Sequence, residues 1–75
     1  MWIRTNDILC KADEFSRFYI DIASGSYHIF GKESDNTSVV LGTYRDYRKA
    51  KEAFESLYTA LEHGDRAFTM PRSNY

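Results

Sequence analysis

Four cations crowd the stretch "GTYRDYRKAKEAF" at residues 42–54: Arg45, Arg48, Lys49 and Lys51, with Asp46 the acid among them. The apolar periodicity that begins here predicts a helix, so the cations fall on its first two turns, where the helix macrodipole favours acids. Two chemistries fit. Arg48–Glu52 and Lys51–Glu55 are spaced i,i+4 and would form surface ion pairs worth roughly 0.2–0.5 kcal/mol each. Alternatively, Arg45 and Arg48 beside the helix N–H groups would cradle a phosphate, since arginine forks match its oxygens bidentately.

Aromatic side chains form the second group. Five Phe, six Tyr and one Trp are more than one small core needs, which leaves some for interfaces or stacking. Phe54, Leu57, Tyr58 and Leu61 are expected in the core. Trp2, Tyr27, Phe30, Tyr44, Tyr47 and Phe68 are open to two uses: core or dimer contact, or a face for a nucleotide base, where each stacked base is worth about 1–3 kcal/mol. Arg4 and Arg72 flank the two ends of the chain and are either surface residues or ligand contacts.

No catalytic constellation emerges. His28 and His63 stand apart without a companion nucleophile, Cys10 reads as a small buried apolar residue, and Asp13-Glu14 reads as a turn. There is no phosphate-binding glycine loop, no G-x-G-x-x-G and no H-E-x-x-H. Nor is there a Cys/His cluster to hold zinc. The chain is expected to bind without chemistry, as a non-enzyme with no cofactor.

Bulk properties narrow the partners. A 75-residue chain is one domain, and a core of that size is marginal. A single cysteine excludes an internal disulfide, leaving homo-oligomerisation as the common remedy. The net charge of −1 does not announce a nucleic-acid binder. No apolar run approaches the roughly 18 residues of a membrane span, and "MWIRTNDILCK" lacks a signal-peptide pattern. The expectation is a cytoplasmic homodimer with no membrane partner.

The elements that must position these residues follow from periodicity. "MWIRT" and "ILCK" (residues 8–11) read as short strands around an Asn6-Asp7 turn, and "ADEFSR" as a connection. "FYIDIA" (18–23) and "YHIFGK" (27–32) form a hairpin about the turn "SGS". Tyr27 and Ile29 share one face; His28 and Phe30 share the other. "ESDNTS" (33–38) is a polar loop. "VVLGTY" (39–44) is a strand in which Gly42 marks a bulge or a close backbone approach. Asp46 caps a helix over about residues 46–63, with an apolar stripe of Tyr47, Ala50, Phe54, Leu57, Tyr58 and Leu61, closed by Gly64. "AFTMP" (67–71) is a last strand or arm, and a flexible tail follows from about residue 72. The predicted class is α+β: one antiparallel sheet of four to five strands with the helix on one face. Its other face carries aromatics that a second copy would cover.

"MWIR", "LGTY" before the helix and "FTMP" after it resemble a pattern of small phage and mobile-element proteins of Gram-positive bacteria: a W-I-R opening, L-G-x-Y, then F-x-M-P. The likeness covers almost the whole chain through short motifs. It departs at the helix start, where Arg-Asp-Tyr-Arg replaces the more usual Ser/Thr-plus-acid cap. Within that group the chain resembles the compact homodimeric viral sponges. This resemblance implies sequestration, without cleavage, of a nucleotide second messenger such as an ADP-ribose derivative, in the host cytoplasm. Taken together with the cations and aromatics above, the candidate ligand-binding set is Trp2, Arg4, Tyr27, Tyr44, Arg45, Tyr47, Arg48, Phe68, Met70 and Arg72. The alternative is a phage inhibitor or adaptor that docks on a host protein through its aromatic surface. A nucleic-acid regulator using the helix is disfavoured by its glutamates.

Overall fold

The computed structural model describes residues 1–72. Its elements run β1 (Trp2–Arg4), β2 (Leu9–Lys11), a 3₁₀ turn (Ala12–Glu14), β3 (Phe15–Ala23), β4 (Ser26–Glu33), β5 (Ser38–Tyr44), α1 (Tyr47–His63) and β6 (Ala67–Thr69). The tail expected from about residue 72 lies, beyond Arg72, outside the described residues.

The fold is α+β with one helix, but the single antiparallel sheet is corrected. The strands form two three-stranded sheets, ordered β3-β4-β5 and β2-β1-β6, and β6 runs parallel to β1. The reason is long-range pairing: Ile3 meets Phe68, and the ladder continues on either side through Trp2 N–H to Arg66 C=O (2.8 Å) and Met70 N–H to Arg4 C=O (2.9 Å). Residues so distant in sequence leave no local trace of their partnership. The "ADEFSR" connection is also corrected. Only its first three residues turn; Phe15 already starts β3, and a bulge between Phe15 and Arg17 absorbs the change of direction.

The β3–β4 hairpin closes on Ser24-Gly25, both at positive φ (52° and 76°), which is the two-residue turn whose twist matches the strands. Gly42 serves both purposes proposed for it. A register shift on β5 leaves Leu41 as the extra residue between Val40 and Gly42, and a Cβ on Gly42 would lie 2.7 Å from the Tyr44 hydroxyl oxygen. The ring of Tyr44 can cross the strand because nothing projects there.

Helix α1 is capped as its sequence requires. The Asp46 carboxylate accepts from Lys49 N–H at 2.8 Å, and Gly64, in the left-handed region (φ 71°), donates to Ala60 and Leu61 C=O. Its buried stripe is Ala50, Ala53, Leu57 and Ala60, with Phe54 half-buried. This rotates the expected stripe: Tyr58 is 56% exposed, its hydroxyl near Glu62, and Leu61 is 37% exposed. The small side chains of Ala50 and Ala53 face the core, and the larger Tyr58 and Leu61 fall to the flanks of the helix. The core joins Ala50, Ala53 and Leu57 of this stripe to Ile3, Ala12, Ile29, Leu41, Tyr44 and Met70.

Candidate functional site

The two parallel strands β1 and β6 end side by side, and the segments leaving them, Thr5–Asp7 and Met70–Arg72, form two walls of a groove. The third wall is Val40–Thr43 of β5, an edge strand with no strand paired on that side among the described residues. The groove holds about 440 Å³, within the roughly 300–1,000 Å³ typical of small-molecule sites.

Its walls are locally held. The Thr5 hydroxyl oxygen accepts from Asp7 N–H (3.2 Å) and Ile8 N–H (3.0 Å), and Thr5 N–H donates to Ile8 C=O, so the β1–β2 turn is closed on itself. Tyr44 donates its hydroxyl to Pro71 C=O at 2.8 Å, tying the arm after β6 to the end of β5. Burial pushes the Tyr44 phenol up to about 12, so this hydroxyl stays a donor at any physiological pH. Met70 is buried beneath the groove, whereas Arg72 is exposed at its rim. Polar groups thus converge from three sides: Asn6, Asp7, Thr43 and Arg72. A guanidinium suits a phosphate, and a carboxylate or side-chain amide suits sugar hydroxyls.

The ten residues proposed from sequence do not form one site. Met70 and Arg72 line the groove. Tyr44 and Met70 belong to the core, and Phe68 packs half-buried against it. Trp2 and Arg4 project from the outer face of the β2-β1-β6 sheet, where Trp2 is 44% exposed and carries the Lys11 ammonium 5.3 Å from its ring centroid. Tyr27, Arg45, Tyr47 and Arg48 gather where β5 passes into α1, with the Tyr27 and Tyr47 rings edge to face at 5.8 Å.

At that helix start the charge conflict is smaller than the sequence suggests. Asp46 already places a carboxylate on the positive end of the helix. Lys51 pairs with Glu55 at 3.3 Å and lies over the Phe54 ring, whereas the expected Arg48–Glu52 pair does not form.

Thr5, Asn6, Asp7 and Thr43 were missed by sequence reasoning. Asn6-Asp7 was visible only as a turn, and nothing local distinguishes a turn that borders a groove from one that does not. Cys10 is half-buried, with its thiol over Ile3 C=O at 3.8 Å. Burial first, then the carboxylates of Glu14 and Glu33, raise its pKa and disfavour the thiolate. No group of three or more His, Cys, Asp or Glu side chains among the described residues could hold a metal ion. No helix among them is long and apolar enough to cross a membrane.

No protein-family model, curated protein or solved structure matches the chain.

Proposed function

We propose that this chain is a non-enzymatic nucleotide-binding protein, a phage sponge that sequesters a nucleotide second messenger such as an ADP-ribose derivative as a homodimer in the host cytoplasm, with the groove at the carboxyl ends of β1 and β6 as its ligand site. The observation that carries this reading is the presence of Arg72, Thr43, Asn6 and Asp7 on the three walls of one groove of about 440 Å³. Arg72 would take a phosphate, Asp7 and Asn6 the sugar hydroxyls, and the open edge of β5 would offer backbone groups to the base. The resemblance to phage sponges supplies the biological setting.

Thermal-shift measurements against a panel of mono- and dinucleotides, including ADP-ribose, test this directly. One nucleotide class should raise the melting temperature, and the ligand should be recovered chemically unchanged after heat denaturation. Arg72→Ala should weaken that ligand about tenfold, the loss expected of one charge-assisted bond. A flat panel, or turnover to a product, overturns the reading.

A second reading, an inhibitor that docks on a host protein, is favoured by the exposed apolar side chains of Trp2 and Leu9 on neighbouring strands, of which Leu9 is 63% exposed. It expects no nucleotide shift and a stable complex that Trp2→Ala and Leu9→Ala break.

A further inference from the structure

The face of the β3-β4-β5 sheet turned away from α1 is organised in three cross-strand rows. Strand alternation and register place Arg17, Lys32 and Ser38 in the first, Tyr19, Phe30 and Val40 in the second, and Asp21, His28 and Thr43 in the third. Contacts along and between the rows agree with that register. The Tyr19 and Phe30 rings stack at 5.2 Å, and the His28 ring lies 5.7 Å from that of Phe30. The Tyr19 hydroxyl meets Ser38 Oγ at 2.9 Å, and His28 Nδ1 meets Thr43 Oγ1 at 3.0 Å. An apolar middle row is therefore flanked by a cationic row on one side and a row containing one carboxylate on the other.

We propose that this face is the homodimer interface, packed against the same face of a second copy about a two-fold axis that runs across the strands at the Tyr19–Phe30–Val40 row. The argument is charge complementarity under symmetry. Such an axis exchanges the first and third rows, so Asp21 of each copy meets Arg17 of the other with Lys32 adjacent, and the apolar rows cover each other. An isologous contact requires this self-complementarity, and a face with one sign of charge at both ends could not supply it. One Asp21 oxygen already accepts from Ile22 N–H at 2.8 Å, which holds the carboxylate in place and leaves the second oxygen for the arginine. Val40 and Thr43 also line the groove, so the two ligand sites would open beside the seam. The inference rests on the homodimer part of the proposed function and is independent of its ligand.

Charge exchange tests it. Asp21→Lys makes the flanking rows all cationic, and the double variant Arg17→Glu/Lys32→Glu makes them all anionic. All three positions lie on the strand surface, and circular dichroism checks that each variant folds. The wild type should dimerise at micromolar concentration in analytical ultracentrifugation. Each variant alone should dimerise at least about tenfold more weakly, and an equimolar mixture of the two should form a heterodimer, because opposite charges then face each other in both rows. A wild type that stays monomeric overturns the inference. So does undiminished dimerisation of Asp21→Lys, or a mixture in which both variants remain monomers. Nucleotide binding by a monomeric wild type would overturn this interface alone. A dimer that behaves as described but shifts with no nucleotide would overturn the ligand reading alone.

Discussion

The Tyr44 hydroxyl donates to the Pro71 carbonyl at 2.8 Å, joining the last residue of β5 to the arm that follows β6. The Tyr44 ring is 2% exposed and crosses the strand over Gly42. One side chain thus ties the end of β5 to Pro71, a residue that lines the groove.

Tyr44→Phe keeps the ring and removes the link. It should cost about 0.5–1.5 kcal/mol at neutral pH, the usual net worth of such a bond, measured from urea unfolding midpoints.

The same residue sets an alkaline dependence. Burial raises the folded pKa to about 12 from an ordinary value of 10.0. Between these values the unfolded state has lost the proton and the folded state keeps it, so stability falls as pH rises through that window. The loss should reach roughly 1.4 kcal/mol by pH 11, one pKa unit above the ordinary value. Below pH 10 the contribution is fully present. Comparing unfolding at pH 9 and pH 11 in the wild type and in Tyr44→Phe isolates it, because every other titrating group is shared. Equal alkaline losses in both proteins would remove Tyr44 as the cause.

Gly42→Ala should destabilise by about 1–3 kcal/mol, the ordinary cost of overpacking. The new Cβ would stand 2.7 Å from the Tyr44 oxygen and 2.8 Å from its ring, and the hydroxyl's bond to Pro71 resists displacement. In Gly42→Ala/Tyr44→Leu the clash has no partner, so the two losses should add to more than the double variant shows. Strict additivity would mean that the alanine acts through the strand backbone instead.

The rotated helix stripe makes a paired prediction. Leu57, 1% exposed, should lose about 2–5 kcal/mol on change to alanine. Tyr58, although its neighbour in sequence, should lose less than about 1 kcal/mol. Thermal melting of both variants decides whether the alanine face is the one that meets the sheet.

At the helix start, Asp46→Ala should cost about 0.5–2 kcal/mol, the usual price of a lost N-cap. Arg48→Ala should leave stability unchanged or slightly raised, since a cation leaves the positive end of the helix. If Arg48 were instead part of a phosphate site, nucleotide affinity would fall while stability held. Calorimetry alongside melting separates these outcomes.

Read alone, the sequence determined the elements whose cause is local. Asp46 and Gly64 bracket α1 because a capping carboxylate and a left-handed residue act on backbone groups within one turn. Ser24-Gly25 sets the hairpin because two residues at positive φ suffice to reverse a twisted strand. Gly42 announced a close approach, although not that the Tyr44 ring two residues on makes it. Other features depend on groups distant in the chain and leave no local trace. The parallel pairing of β1 with β6 is one such feature, and the separation into two sheets follows from it. So does the groove, whose three walls come from residues 5–7, 40–43 and 70–72. The helix stripe belongs there too: periodicity permits several apolar faces, and packing buried the one that carries Ala50, Ala53, Leu57 and Ala60. The candidate ligand residues were scattered for the same reason, since residue type shows what a side chain can bind but only the fold decides which side chains meet.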